Sequence, residues 1–111
     1  MNGAPEDAIM VFMTAANREE AVRLAEMMVA ARLAACVQIL PEMESIYRWQ
    51  GKIERQREIL IIAKTAASKF EELEREVRAI HSYDTPEIVA LPLTAGSSAY
   101  LNWLKTSITD D

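Results

Sequence analysis

The feature that most constrains this fold is a pair of long strand-forming segments joined by one turn. Segment 35–50, ACVQILPEMESIYRWQ, leads to Gly51, and segment 53–65 runs back from it. Each segment is roughly twice the usual strand length of about five or six residues. Pro41 interrupts the first segment, and proline cannot donate to a sheet ladder, so we expect a bulge or a kink there. The pattern predicts a β-hairpin that is long for a small protein.

The two halves of this hairpin differ in polarity. Residues 54–58, ERQRE, are polar on both faces, whereas residues 59–63, ILIIA, are apolar on both faces. The apolar half must lie in a core, while the polar half extends beyond what one small domain covers. Because a long unpaired strand edge is a hazard for a monomer, we expect this arm to pair with another chain.

The remaining segments alternate strands with helices. Two capping-box patterns mark helix starts, Asn17 with Glu20 and Ser68 with Glu71. Apolar periodicity supplies the other elements: strands over 8–14 and 88–93, and helices over 18–33, after Ser68 and after 96–98. With right-handed crossovers, this order predicts an α+β fold, a ferredoxin-like split βαβ sandwich with a long hairpin and a C-terminal helix. One sheet face then lacks helices, unless the last helix covers part of it, which is a second reason to expect an oligomer.

Length, charge and cysteine usage limit the class of protein. The 111 residues predict one domain over 1–111, with a short flexible lead at 1–7. A net charge of -5 argues against nucleic-acid binding, which needs a basic patch. The single cysteine, Cys36, excludes an intrachain disulfide and a multi-cysteine zinc site. There is no secretory pattern and no apolar run of membrane-spanning length, so we expect a cytoplasmic protein without a membrane partner.

No catalytic pattern stands out in the sequence. It has no GxSxG, no phosphate-binding glycine loop and no CxxC. A nucleophile–base pair would need His81 beside Cys36, and nothing local brings them together. We therefore expect a protein that is not an enzyme.

The segment 81-HSYDTPEIVALP-92 is the main candidate site. Pro86 restricts Thr85 to an extended conformation, so the loop is stiff and can fix polar groups in space. His81 and Glu87 are capable metal ligands, but stable transition-metal sites use three or four donors. The alternative is that His81 interacts with the last carbonyls of a helix and that Glu87 is a surface residue. At this level both interpretations stay open.

The second candidate is the hairpin tip, 47-YRWQGK-52. Tyr47 and Trp49 lie on the same side of a strand because side chains alternate with a period of two. Exposed aromatic side chains on an extended arm predict a contact, either with another subunit or with a stacked ligand.

Five motifs in unbroken order carry a resemblance to a known family. LAACVQILP, YRWQGKIE, ILIIAKT, HSYDTPEIVALP and YLNWL, spread from about Ile9 to Ser107, together resemble the CutA family of divalent-cation tolerance proteins. The resemblance implies a homotrimer of ferredoxin-like subunits, similar in architecture to PII signalling proteins, whose hairpins pair across subunits. We expect Tyr47, Arg48 and Glu54 to lie in that interface.

The resemblance also implies a function and a site. It implies tolerance of divalent metals through binding of copper, or less readily zinc, with His81 and Glu87 as ligands and Met13 where some members have a cysteine. The alternative that it implies is a PII-like signalling module that binds a small molecule in an intersubunit cleft. Ser82 replaces a proline that many members have, which is expected to loosen the loop slightly. The residues that match the cleft are Trp49, Lys64, Tyr83, Thr85, Pro86 and Trp103.

Overall fold

The computed structural model describes residues 7–109, so residues 1–6 of the predicted flexible lead lie outside the described residues. Asp7 does have a backbone contact, because its carbonyl accepts a hydrogen bond from Ala67 N–H at 2.8 Å. The elements in chain order are β1 (Ala8–Ala15), α1 (Arg18–Ala30), β2 (Cys36–Ile39), β3 (Met43–Trp49), β4 (Lys52–Ala66), a 3-10 turn (Ala67–Lys69), α2 (Phe70–Ile80), β5 (Ile88–Pro92) and α3 (Ser98–Ser107).

The strands form one antiparallel sheet in the order β2-β4-β1-β5, with β3 paired to the first half of β4. The 15-residue strand β4 therefore serves two partners, β3 along the arm and β1 with β2 in the body. The arm makes the chain elongated, with extents of 45 × 26 × 24 Å. The predicted α+β class and the long hairpin are both confirmed.

The first arm of the hairpin is interrupted at Pro41, as the sequence predicts. β2 ends at Ile39 and β3 begins at Met43, so Pro41 lies between two strands rather than inside one. At the other end of β3, Gln50 and Gly51 have φ values of 50° and 81°. Two successive left-handed residues are typical of the tight turn whose twist matches a hairpin.

The two predicted helix starts had different outcomes. Asn17 is the N-cap of α1, and its Oδ1 accepts a hydrogen bond from Glu20 N–H at 2.8 Å. The prediction for Ser68 was wrong, because Ser68 lies inside the 3-10 turn and α2 is preceded by Lys69 without a side-chain cap. Helix α1 also stops at Ala30 rather than residue 33, because Arg32 has a φ of 58°, which is incompatible with a helix.

Helices α1 and α2 cover one face of the sheet and enclose the core. Alternate residues of β1 and β4 point into it because strand side chains alternate between faces. The side chains that form this core include Ile9, Val11, Met13, Leu24, Met28, Ile59, Ile61, Ala63, Leu73 and Val77.

The opposite face of the sheet is largely uncovered. The register places on it the large apolar side chains that we call the uncovered sheet face: Met10, Phe12, Leu60, Ile62, Val89 and Leu91. Helix α3 covers only one end of this side, where Leu104 and Ile108 pack with Ala8 and Ala66. About half of the surface of Val89 and Leu91 is exposed in the single chain. The sequence left open whether the last helix covers part of this face, and the structure shows that it does so at one end.

Thr65 is a polar residue in the apolar core, and its effect on stability can be tested. Its side chain is fully buried, and its Oγ1 has no hydrogen-bond partner among residues 7–109. Since a buried hydroxyl without a partner is destabilising, we expect Thr65→Val to raise the free energy of unfolding by about 1 kcal/mol. Chemical denaturation measures this, with the exposed Thr94→Val as the control that should change little. A loss of stability in Thr65→Val would contradict the assignment.

Candidate functional site

A pocket of about 580 Å³ lies along one face of the hairpin arm, from Glu58 at the base of the arm to Trp49 beside the turn. Strands β3 and β4 form one wall, and residues 83–87, which lead into β5, form the other. Thr14, near the end of β1, lies between them. The residues that line the pocket are Thr14, Ser45, Ile46, Tyr47, Trp49, Gln56, Glu58, Tyr83, Asp84, Thr85 and Glu87.

A directional chain of hydrogen bonds crosses this pocket. Tyr47 OH donates to Gln56 Oε1 at 2.6 Å, and Gln56 Nε2 donates to Tyr83 OH at 3.0 Å. Tyr83 OH in turn donates to Glu58 Oε2 at 2.8 Å. Burial raises the pKa of Tyr83, and the hydrogen bond to Glu58 raises it further, so the phenol remains a donor at neutral pH. The three hydrogen bonds therefore run in one direction along the chain and end at the carboxylate of Glu58.

His81 lies behind the pocket, and its side chain is entirely buried. Its Nε2 is 2.7 Å from the carbonyl of Thr14, and its Nδ1 accepts the N–H of Tyr83 at 3.0 Å. This arrangement assigns the tautomer with hydrogen on Nε2, because a carbonyl can only accept. His81 thus joins β1 to the loop. The carbonyl that it contacts belongs to β1, and not to a helix end as one of the two sequence interpretations had it.

Glu20 holds the same loop from the other side. The residue is 2% exposed, and its carboxylate accepts from Ala16 N–H (2.9 Å), Ser82 N–H (2.7 Å) and Ser82 Oγ (3.0 Å). Burial acts to raise the pKa of Glu20, but these hydrogen bonds and nearby His81 together outweigh it and lower the pKa. The carboxylate is therefore ionised at neutral pH and bound on both oxygens.

The expectation that Ser82 loosens the loop was wrong. Its backbone N–H and its hydroxyl both donate to Glu20, so this serine ties the loop to the start of α1. A proline here has neither donor. The capping-box pattern gave Glu20 as a helix-start residue, but its partner 62 residues away was not visible in the sequence.

Ser82→Pro is therefore expected to destabilise this chain, although the resemblance implies a proline at this position in many family members. The change removes two hydrogen bonds to a buried carboxylate, and we expect it to lower the free energy of unfolding by about 2 kcal/mol. Ser82→Ala removes only the hydroxyl and should cost about 1 kcal/mol. Urea denaturation measures both, with the exposed Ser98→Ala as control. Equal stability of Ser82→Pro and the parent chain would show that the Glu20 contacts contribute nothing.

A second polar group lies on the same face of the sheet, at the α3 end, and we call it the Lys64 cluster. Lys64 Nζ donates to Gln38 Oε1 at 2.9 Å and lies 5.7 Å from the ring centre of Tyr100. The hydrogen bond between Tyr100 OH and Cys36 Sγ, 3.4 Å apart, raises the pKa of Tyr100 to about 12. The members of the cluster are Cys36, Gln38, Lys64, Tyr100 and Trp103, whose ring centre is 5.5 Å from that of Tyr100.

The predicted cleft residues thus fall into two groups in one chain. Trp49, Tyr83 and Thr85 line the pocket together with Glu87, whereas Lys64 and Trp103 lie in the Lys64 cluster. Pro86 adjoins the pocket without lining it.

The predicted interface residues of the hairpin lie in different places, and two pocket residues were not predicted. Tyr47 lines the pocket, while Arg48 and Glu54 are exposed on the arm. Sequence reasoning missed Gln56 and Glu58, although their alternation in β4 opposite β3 was a signal.

The predicted metal ligands do not form a metal site within one chain. Met13 is fully buried on the helix-covered face, and both ring nitrogens of His81 are already hydrogen-bonded. Glu87 lies in the pocket. No group of three or more His, Cys, Asp and Glu side chains in the described part of the chain is arranged to hold a metal ion. These donors do not fit copper or zinc here, and metal binding stays a prediction.

The fold and the pocket define a class, an antiparallel α+β protein with a long two-stranded arm, and comparison with known proteins supplies the family. The family model for "CutA1 divalent ion tolerance protein" matches residues 9–107, so the chain belongs to the CutA1 family. The divalent-cation tolerance protein CutA of Thermus thermophilus is 45% identical over 96 residues, which cover 86% of this chain and 93% of that protein. The chloroplastic protein CutA of Arabidopsis thaliana is 49% identical over 100 residues, 90% of this chain. The chain spans only about half, 55%, of the length of that plant relative.

Solved structures agree with the family assignment. The crystal structure of CutA1 from Oryza sativa superposes with a TM-score of 0.91 at 43% identity, covering 95% of this chain and 96% of the other. The CutA structure from Archaeoglobus fulgidus gives a TM-score of 0.90 at 39% identity, covering 92% and 99%. The family name refers to divalent ion tolerance and not to a catalysed reaction, which agrees with the expectation of a non-enzyme at the level of the family.

The predicted cytoplasmic location is contradicted by the locations given for relatives. The Arabidopsis relative is described as chloroplastic, and the Archaeoglobus structure is described as that of a periplasmic protein. These descriptions differ between relatives, so membership of the family does not establish a compartment. No helix within residues 7–109 is long and apolar enough to cross a membrane.

Proposed function

We propose that this chain acts in divalent-cation tolerance as a PII-like homotrimer of ferredoxin-like subunits. The strand order β2-β4-β1-β5, with α1 and α2 on one face, supports the ferredoxin-like plan. The uncovered sheet face and the exposed apolar residues of the arm, such as Ile53, support assembly. Burial of such apolar surface is the main favourable term in association.

We further propose that the pocket is one half of an intersubunit cleft for a small molecule. The observation that carries this proposal is the separation of Lys64 from the pocket. Lys64 follows Glu58 by six positions on β4 and lies on the same face, so the two are about 20 Å apart at about 3.3 Å per residue. One small ligand cannot contact both within one chain. The Lys64 cluster of a second copy completes the cleft, and occupation of the cleft reports metal stress to a partner protein.

Direct binding of copper or zinc by His81, Glu87 and Met13 is the less supported proposal. It would require His81 to release Thr14 and Tyr83, and Met13 to leave the core. Titration of Cu²⁺ into the parent protein and into His81→Ala separates the two proposals. Equal affinities would end the His81 assignment.

Cross-linking tests the composite cleft directly. Cys36→Ser removes the only cysteine, after which Thr85→Cys and Trp103→Cys place one thiol in each half of the cleft. A short bis-maleimide should then produce covalent dimers and trimers on a denaturing gel. Each single-cysteine variant is the matched control and should not form the trimer ladder. A double-cysteine chain that remains monomeric on the gel would refute the cleft.

A further inference from the structure

We propose that the pocket binds a small organic amine, with its cationic nitrogen at Glu58 and its apolar body against the rings of Tyr83 and Tyr47. This inference rests on the proposed function, which makes the pocket a ligand site, and it adds the chemical class of the ligand.

The charge of the pocket wall is the first argument. Among the residues that the structure describes, the lining includes three carboxylates, those of Glu58, Asp84 and Glu87, and no lysine, arginine or histidine. The nearby arginines are engaged elsewhere, since Arg55 pairs with Glu44 and Arg57 pairs with Glu42 on the arm. Within residues 7–109 the wall is therefore anionic, and a cationic guest is favoured.

Glu58 is the second argument, because it is not a solvated surface carboxylate. It is 7% exposed and lines the pocket, yet among residues 7–109 its carboxylate accepts one hydrogen bond, from Tyr83 OH to Oε2. Within the part of the chain that the structure describes, Oε1 accepts no hydrogen bond and the carboxylate has no ion pair. A buried carboxylate gains most from a partner that brings both a positive charge and an N–H donor.

The hydrogen-bond chain holds this carboxylate in one orientation. Tyr47, Gln56 and Tyr83 donate in sequence toward Oε2, so Oε1 is left as the acceptor for a guest. Tyr83 is itself fixed by His81, which accepts its backbone N–H. The acceptor is therefore preorganised, which lowers the entropic cost of binding.

The aromatic wall selects an organic cation over a bare metal ion. Tyr83 contacts Glu58 directly, and Tyr47, which is linked to Tyr83 through Gln56, lines the same pocket. A tyrosine face attracts a cationic group and also packs on an apolar body. A hard divalent cation instead needs about six oxygen ligands, and the described residues contain no convergent group of three acidic or imidazole side chains.

Calorimetric titration of the full chain with benzylamine tests the inference, and benzyl alcohol serves as the neutral probe of similar shape. At pH 7 we expect benzylamine to bind about tenfold more tightly than benzyl alcohol or better, and Glu58→Gln to abolish that preference. Glu44→Gln is the matched control, because it removes the same charge from an exposed site on the opposite face of β3. It should leave the preference unchanged. Tyr47→Leu should weaken both probes, because it removes part of the aromatic wall and leaves the Tyr83–Glu58 hydrogen bond in place.

The outcomes separate this inference from the proposed function. Equal binding of the two probes would overturn the amine proposal while leaving the pocket as a ligand site. A preference for benzylamine that persists in Glu58→Gln would overturn the role of Glu58. If the assembled protein binds neither probe at millimolar concentration, the amine proposal is overturned, and the proposal that the pocket is a small-molecule site is contradicted as well. Circular dichroism of each variant shows that it is folded.

Discussion

Glu20→Ala is expected to lower the free energy of unfolding by about 3 kcal/mol, a large share of the stability of a small domain. The substitution leaves the N–H groups of Ala16 and Ser82 without their acceptor and removes the tie between α1 and the pocket loop. Glu19→Ala is a matched control, because Glu19 is the exposed neighbour in the same helical turn. Urea denaturation followed by circular dichroism measures both. A similar, small effect for the two variants would contradict the structure.

The contribution of Glu20 is also expected to depend on pH. Because its pKa in the folded chain is lowered from 4.5, the ionised carboxylate stabilises the fold above the unfolded pKa. This stabilisation is lost as the pH falls through the folded pKa. The difference in unfolding free energy between the parent chain and Glu20→Gln should therefore be largest near neutral pH and should shrink below about pH 4. A difference that grows on acidification would reverse the assigned sign.

Leu91→Lys is expected to convert the proposed trimer into a folded monomer. Leu91 lies on the uncovered sheet face and is 53% exposed in the single chain. Each copy would lose about 2 kcal/mol of apolar burial, and the new ammonium group would have to be desolvated as well. The core on the opposite face is untouched, so the secondary structure should remain. Sedimentation velocity at micromolar concentration distinguishes the two states.

The control for this experiment is Val29→Lys. Val29 is similarly exposed, at 46%, but it belongs to helix α1 rather than to the uncovered sheet face. This variant should sediment like the parent chain. A Leu91→Lys protein that remains trimeric, or a parent chain that is monomeric, would show that the uncovered sheet face is not the interface.

Local patterns predicted most of the backbone. Alternation and apolar runs gave the long hairpin, and the chemistry of Pro41 and Gly51 gave its break and its turn. Asn17 was found because a helix start needs an acceptor for its free N–H groups. The same rule failed at Ser68, where a 3-10 turn leads into the helix and the serine does not cap it.

The site was predicted only in part. The stiff loop around Pro86 and the paired aromatic side chains of the tip do converge, since Trp49, Tyr83 and Thr85 line one pocket. Glu58 was missed because its importance depends on burial and on Tyr83, which is 25 residues away. His81 looked like an available ligand because the sequence does not show that β1 and the loop occupy both of its nitrogens.

The sequence by itself determined the order of strands and helices, the class of fold and the membership of a family, because these follow from periodicity, turn chemistry and motif order along the chain. Only the tertiary structure decided which polar groups are free to act. A hydrogen bond formed within the fold uses up a donor or an acceptor, as at Glu20 and His81, whereas Oε1 of Glu58 accepts none from residues 7–109. That distinction depends on contacts between residues far apart in the chain, and no local pattern contains it.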